Sequence, residues 1–303
     1  MLHTVEDALS IAYKRAFNPE GDVIVRLDTT TGALDVRSRI FKGGKLEEKE
    51  LPSEDFKRMA AQTAKHAVLR HIHDLERDKV LRDVAEHRGE LATGVVDRIE
   101  NGTVYVDLGR AEGVMPPEEQ IPGEQLIPGR PVLVVILDPQ QNRKQAQVRV
   151  SRSSRAFVHR LLEAEVPEIK SGAVQVRAIA REPGLRTKIA VSSNEPGLDP
   201  VGACVGPKGV RHRAILSELV TEHVDIVPWS DDPEQFVAAA LGPAKVDAVT
   251  IERVTRTATV LVPKNQLSLA IGRDGQNARL AAKLTGLRID IKASESDGEA
   301  PTD

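Results

Sequence analysis

Two stretches of this sequence, with centres 66 residues apart, carry the same order of elements, which restricts the chain to folds that use one small unit twice. At their centres stand Gly206-Pro207-Lys208-Gly209 and Gly272-Arg273-Asp274-Gly275, the only two Gly-x-x-Gly tetrads in the sequence. With glycine at about 7% of residues, one or two chance matches are expected, so the tetrad alone says little. Its surroundings say more. Upstream of each lies a β-like segment, Lys188 to Ser192 and Thr257 to Val262, followed by a short helical stretch, Val201 to Val205 and Gln266 to Ile271. Downstream come a longer helical stretch, Val210 to Glu222 and Gln276 to Leu284, and a strand, Val224 to Val227 and Ile289 to Ile291. From Gly206 to Asp225 is 19 residues and from Gly272 to Asp290 is 18, a near-equal spacing.

Glycines at both ends of a tetrad allow backbone conformations closed to other residues and let a sugar-phosphate chain come close. The helix that restarts after the loop offers unpaired N–H groups and its positive dipole end to phosphate oxygens. A Gly-x-x-Gly loop between two helices is the device by which KH domains clamp about four nucleotides of backbone. The candidate RNA-binding residues are therefore Gly206, Pro207, Lys208, Gly209, Arg211 and Arg213 in the first loop. In the second they are Gly272, Arg273, Gly275 and Asn277. Asp274 is discordant, because a carboxylate in a phosphate cradle is repelled. The first loop is accordingly expected to contribute more. The competing interpretation of each loop is a purely structural helix-turn-helix, and the matching frames with basic flanks weigh against it.

A chain of 303 residues accommodates two or more domains, and 40% hydrophobic content supports buried cores. With only 3% aromatics, base stacking is restricted as a binding mode, and a net charge of -3 requires any RNA surface to be local. The single cysteine, Cys204, excludes an internal disulfide and suits a reducing cytosol. It has no neighbouring His or acid to activate it and is read as a small buried residue. No apolar run of membrane length and no signal-peptide pattern is present. His66, His71 and His73 lack a set of metal-ligand partners and are read as helix-surface residues. Trp229, after a strand and a proline, is read as a packing residue.

In chain order, Val5 to Phe17 is amphipathic and predicts a helix. Asp22 to Asp28 and Ala33 to Phe41 predict two strands joined by a turn. Ser53 to Glu86 predicts a long charged helix, with Ser53 as N-cap and a stripe of Phe56, Met59, Ala60, Thr63, Ala67, Leu75 and Leu81 against the hairpin. From Gly89 to Ser151 the pattern changes to five short strands: Leu91 to Ile99, Thr103 to Leu108, Gly113 to Met115, Pro131 to Leu137 and Gln145 to Val150. Asn101-Gly102 is a strong hairpin signal, and the strand set suits an OB-type barrel. Arg143, Lys144, Arg149, Arg152, Arg155 and Arg160 follow with no acid among them, which predicts a phosphate-tracking groove. Arg181, Arg186 and Lys188 predict a further positive patch between barrel and first KH.

The order helical platform, barrel, KH, KH resembles the bacterial NusA family of transcription factors. The resemblance is carried by Glu165-Val166-Pro167-Glu168-Ile169, Ala180-Arg181-Glu182-Pro183-Gly184, Lys188-Ile189-Ala190-Val191, Asp199 to Gly206, Val224 to Val227, Leu269 to Gly272 and Gly275 to Ala281. It implies an α+β multidomain chain with a small N-terminal RNA-polymerase-binding domain over residues 1–88. An OB-fold barrel of the ribosomal S-one type follows over 89–153, then two tandem type II KH domains over 154–229 and 230–293, and a disordered tail over 294–303. It also implies a cytoplasmic, monomeric, non-enzymatic factor without cofactors, whose partners are RNA polymerase, nascent single-stranded RNA and other antitermination factors. Such a factor modulates pausing, intrinsic termination and antitermination. Two alternatives stand beside it. Some exoribonucleases join a KH and a barrel behind large catalytic domains, but here the order is reversed and some ninety upstream residues cannot hold such a core. A ribosome-associated or RNA-processing factor uses the same modules.

Overall fold

In a computed structural model, residues 1–42, 45–140 and 146–294 are described. The chain divides between Asp83 and Val84 into two compact units.

In the first unit, helix α1 (Leu2–Phe17) presents Val5, Leu9 and Tyr13, four residues apart and so on one face, to an antiparallel sheet. The sheet runs in the order β1 (Asp22–Leu27), β2 (Leu34–Lys42), β3 (Lys45–Glu50). Val23, Val25 and Val36 close the core with Phe56, just before helix α2 (Lys57–Glu86), and with Ala60 and Ala67 of that helix. Tyr13 Oη donates to Pro52 O at 2.9 Å, which satisfies its buried polar end. Two expectations are corrected here. The helix begins at Lys57 because Phe56 N donates to Ser53 O and Lys57 N to Glu54 O, forming a turn over the expected N-cap. Of the proposed stripe only Phe56, Ala60 and Ala67 are buried, while Met59 and Leu75 are exposed. A third strand, β3, was not expected. Its Lys-Leu-Glu-Glu-Lys-Glu lacks apolar alternation, and it is held by its ladder to β2 and by Arg39–Glu48 at 2.7 Å.

The second unit opens with a closed five-stranded barrel of the OB type: β4 (Leu91–Glu100), β5 (Thr103–Asp107), β6 (Glu112–Met115), β7 (Pro131–Gln140) and β8 (Gln147–Ser151), in the order β4-β5-β6-β8-β7. Asn101 (φ 50°) and Gly102 (φ 80°) make its first turn, both left-handed as a two-residue hairpin of the favoured hand requires.

After the barrel the same unit is built twice. The first copy is α3 (Arg155–Glu165), α4 (Pro167–Lys170), β9 (Val174–Glu182), β10 (Arg186–Ser193), α5 (Pro200–Val205), α6 (Val210–Leu219) and β11 (His223–Pro228). The second is α7 (Pro233–Ala240), β12 (Ala248–Glu252), β13 (Thr257–Val262), α8 (Leu267–Ile271), α9 (Gln276–Thr285) and β14 (Arg288–Ala293). In each, the middle strand pairs antiparallel with the strand before it and parallel with the one after the two helices. Ser154, Asp199 and Asp232 cap α3, α5 and α7 by accepting from Phe157 N, Val201 N and Glu234 N. Helix α6 stops at Leu219, short of the expected Glu222, because Val220 takes φ 50°, ψ −61°. That turn delivers Glu222 into the interior.

Side chains of a strand alternate between faces, and the sheet β9-β10-β11 is buried on both. One face carries Ile189, Val191 and Val224 into a core with Phe157, Val158, Leu161 and Leu162 of α3, Cys204, Ile215 and Val135 of the barrel. The other carries Ala180, Ala190 and Val227 against Phe236, Val237, Ala240 and Leu241 of the second copy's first helix and turn and Leu280, Ala281 and Leu284 of α9. The two copies therefore share a core, and small alanines let the second copy's helices lie close to the first copy's sheet. Burial pushes the Cys204 thiol up to about 11, so it packs as an apolar residue. Trp229 packs beside this second core, with Arg177 stacked 4.5 Å over its ring. Among the described residues, no helix is long and apolar enough to cross a membrane.

Glu222 is a deeply enclosed charge. Its carboxylate accepts from Arg181 Nε and Nη2 at 2.9 Å each, from Gly184 N at 3.1 Å and from the Thr187 hydroxyl. Removing one partner of a buried pair leaves the other unneutralised, at a cost of about 3–5 kcal/mol. Glu222→Ala is expected to lose that much stability in chemical denaturation of the full chain, whereas Glu163→Ala on the surface of α3 is expected to change it by under about 1 kcal/mol.

Candidate nucleic-acid interface

The two Gly-x-x-Gly loops have almost the same backbone. Gly206 and Gly272 end helices α5 and α8 at φ 73°, ψ 171° and φ 76°, ψ 171°, conformations that only glycine adopts readily. Lys208 (52°, 24°) and Asp274 (50°, 28°) are left-handed, and so are Gly209 (75°, 20°) and Gly275 (71°, 16°). Left-handed geometry costs a non-glycine residue on the order of 1 kcal/mol, less for aspartate than for lysine. Helices α6 and α9 then start without a side-chain cap, and their first N–H groups are met within the loop instead, Val210 N donating to Pro207 O and Gln276 N to Arg273 O.

The loops are braced from equivalent positions. Five residues after the first glycine stand Arg211 and Asn277. Arg211 Nη1 donates to Ala203 O at 2.6 Å and to Glu168 Oε2 at 2.8 Å. Asn277 Nδ2 donates to Ala270 O at 3.0 Å and Leu241 O at 2.9 Å. Both side chains thus tie down the turn of helix that leads into the loop. Two residues further, Arg213 Nη1 donates to Lys208 O at 2.8 Å and Arg279 Nη1 to Asp274 O at 3.2 Å, each holding the carbonyl of the left-handed residue. The braces also explain the leading glycines. A Cβ on Gly206 would stand 2.7 Å from Arg211 Cγ, and one on Gly272 would stand 2.8 Å from both Cβ and N of Asn277.

The expected contact residues divide into those that face outward and those that do not. Pro207, Lys208 and Arg213 are exposed in the first loop, and in the second Arg273 is exposed, its side chain 95% accessible. Asp274 is equally open, its carboxylate 3.7 Å from Arg273 Nε. Asn277 is buried and faces the protein, so its expected RNA contact is corrected to a brace. Arg211 is partly buried and engaged by Glu168.

The positive patch of Arg181, Arg186 and Lys188 is corrected as well. Arg181 is buried on Glu222, with its Nη1 on Ser154 O at 2.6 Å. Arg186 donates to Asp225 Oδ2 at 2.6 Å. Lys188 is fully enclosed and donates to Gly242 O at 2.7 Å, with Asp225 at 3.3 Å. Burial lowers its pKa, and Asp225 opposes that shift. In the basic run, Arg149 and Arg152 are similarly neutralised by acids from the excursion between β6 and β7, and Arg160 by an acid of its own helix. Arg149 pairs with Glu118 and Glu119 at 2.8 and 3.0 Å. Arg152, buried, sits on Glu124 and on the carbonyls of Leu133 and Glu218. Arg160 pairs with Glu163 and donates to Gly89 O. Arg155 stays exposed, and Arg143 and Lys144 lie outside the described residues, as does the expected tail from residue 295 on.

Sequence reasoning missed one cluster. Glu182, at the end of β9, accepts from Arg279 through Nε at 2.6 Å and Nη2 at 3.0 Å, from Gln276 Nε2 at 3.2 Å and from Lys283 at 3.4 Å. The Arg279 hydrogen bonds above all hold its carboxyl down to about 2. The signal was a row of hydrogen-bond donors at positions 276, 279 and 283, one face of a helix, with no acid of its own to meet.

A helix–strand–strand–helix–loop–helix–strand unit with a glycine loop of this geometry is a KH domain. Two of them fused behind an OB barrel define a tandem-KH nucleic-acid-binding protein. Family models agree: a NusA-like first KH domain matches residues 152–229 and a NusA-like second KH domain matches 233–299. The transcription termination/antitermination protein NusA of Bacillus subtilis is 42% identical over 98% of this chain and 86% of its own length. Those of Halalkalibacterium halodurans and Mycobacterium tuberculosis are 41% and 40% identical over 99% of this chain and 84% and 88% of theirs. This chain belongs to the NusA family. Among solved structures, the N-terminal domain of NusA from Bacillus subtilis is 31% identical over 25% of this chain and 80% of that one, with a TM-score of 0.22.

The two leading glycines and the two trailing ones should behave differently. A Cβ at Gly275 meets nothing within 4 Å, so Gly275→Ala carries only backbone strain, about 1 kcal/mol. Gly272→Ala must in addition displace the backbone of Asn277 and is expected to destabilise more, by about 2–3 kcal/mol. Equal melting temperatures for the two variants would contradict the bracing described here.

Proposed function

We propose that the protein is an RNA-binding transcription factor that rides on bacterial RNA polymerase, holds nascent single-stranded RNA and modulates pausing, intrinsic termination and antitermination. The observation that carries this reading is the pair of near-identical glycine loops on a shared core. Each starts its following helix without a side-chain cap and turns cations outward, Lys208 and Arg213 in one and Arg273 in the other. A backbone held in left-handed strain and braced by hydrogen bonds is ready-made for phosphate, so little further ordering is required on binding. The contact set is Gly206, Pro207, Lys208, Gly209 and Arg213 with Gly272, Arg273 and Gly275, while Arg211 and Asn277 act from behind. Asp274 offsets part of the charge of Arg273, and the first loop therefore contributes more of the affinity.

Family membership favours polymerase over ribosome as the platform, since the relatives' names carry transcription termination and antitermination. The chemistry is binding alone, residues 1–88 supply the polymerase contact, the location is the cytoplasm, and the factor acts as a monomer with other antitermination factors.

RNA affinity across a salt series tests the contact set. Lys208→Ala and Arg213→Ala are each expected to shallow the slope of log K against log salt by about 0.7, the value for one lost phosphate contact on a single strand. Arg186→Ala, at the neutralised patch, is expected to leave the slope unchanged. An unchanged slope in the loop variants would make the first loop scaffold. Co-sedimentation tests the platform: the chain is expected with core RNA polymerase, and its recovery with ribosomes instead would favour the ribosome-associated alternative.

A further inference from the structure

The two loops, alike in backbone, are supported from different places. In the first KH the brace is domestic, since Arg211 is held by Glu168 of α4 in the same domain. Arg213 reaches only Lys208 O and, among the described residues, forms no ion pair. In the second KH both braces lead back to the first. Arg279, which holds Asp274 O, is gripped in two places by Glu182 of β9. Asn277, which holds Ala270 O, also holds Leu241 O, and the next carbonyl, Gly242 O, takes the buried Lys188 of β10. An arginine side chain has several rotatable bonds, and immobilising it has an entropic cost. Glu182 fixes it at two nitrogens, which leaves Nη1 aimed at the loop carbonyl.

We infer that the first KH domain sets the geometry of the second domain's RNA loop, with Glu182 as a positioning residue acting through Arg279. The inference rests on the reading that the second loop binds RNA. It also predicts a sign. Glu182 is an anion on a surface proposed to meet phosphate, so neutralising it by a change of field alone would tighten binding. Loss of positioning weakens it.

The experiment uses the full chain and an unstructured oligoribonucleotide about 12 nucleotides long, enough for two four-nucleotide sites and a spacer. Gly209→Asp disables the first loop and Gly275→Asp the second, at positions where a Cβ meets no backbone. With the first loop disabled, Glu182→Gln is expected to weaken binding about fivefold, the lower end of ordinary site-to-site coupling. With the second loop disabled it is expected to change nothing. A charge swap, Glu182→Arg with Arg279→Glu, separates positioning from simple attachment. It restores the ion pair between the domains, but the carboxylate it places on α9 has no hydrogen to give Asp274 O. Thermal stability is expected to recover and affinity through the second loop is not.

Tighter binding, an equal loss in both backgrounds, or recovery of affinity by the swap would each overturn the positioning role. If Gly275→Asp weakens RNA binding but Glu182→Gln does not, only that role falls. If Gly275→Asp leaves affinity unchanged, the second loop does not bind RNA, and the reading beneath the inference falls first.

Discussion

A sheet of three strands can be covered on one face and wetted on the other, and most small domains stop there. In the first KH domain both faces of β9-β10-β11 are covered, and the rest of the larger unit follows from how alternation sorts its side chains. Arg181 and Thr187 are register partners and so share a face, where Glu222 meets both from below. Ala180 and Lys188, partners one step along, take the opposite face, where the alanine admits α9 and the lysine reaches Gly242 O. One step of register along the paired strands thus separates Arg181 of β9, sent into the first core, from Lys188 of β10, sent into the contact between domains. Had Ala180 and Ala190 been large, the helices of the second domain would stand further off, and Lys188 would lose its acceptor.

The repeat, the glycine loops, the Asn101-Gly102 hairpin and the five barrel strands were legible because each rests on local chemistry: spacing, positive φ, alternation. Strand β3 was not, because a solvated edge strand has no apolar period to read and is held by its partner's ladder. The start of α2 was misplaced for a related reason, since a serine followed by two acids also begins a turn. The positive patches failed on a different ground. Arg149, Arg152 and Lys188 have no acid close to them in sequence, and Glu182, which stands beside Arg181, is taken by Arg279. Their acids, Glu118, Glu119, Glu124, Glu222 and Asp225, arrive from elsewhere in the chain by folding, and Asp225 faces Lys188 only because β10 and β11 pair in parallel in one register. Net charge over a window describes an unfolded chain. A binding surface is defined by the cations left after pairing.

By that measure the loops differ more than their backbones do. Arg213 and Arg279 occupy equivalent places and make the equivalent bond to a loop carbonyl, but among the described residues Arg213 has no ion-pair partner while Arg279 commits the rest of its guanidinium to Glu182. The first loop combines an exposed arginine and a lysine with no acid beside them among the described residues; the second combines one exposed arginine with an aspartate beside it. A guanidinium already paired has less to offer a phosphate, because binding must first break charge-assisted bonds. The first loop is therefore the more cationic of the two, and the second the more tightly tied to the neighbouring domain.

Two sites on a frame of fixed spacing gain affinity by effective concentration, and lose the gain when the ligand cannot span both at once. If both loops hold RNA as proposed, the span between them sets the distance between the two bound segments, and that distance depends on what fixes the second loop to the first domain. Apolar packing of Ala180 and Ala190 against Leu280 and Ala281 brings the domains together but is tolerant of small rotations. Directional bonds are not: Glu182 on Arg279 and Lys188 on Gly242 O, one at each of the two braces of the second loop, remove that freedom. Burial provides the attachment and the charged bonds provide the register between the two loops, which is the spacing that the proposed RNA contacts would use.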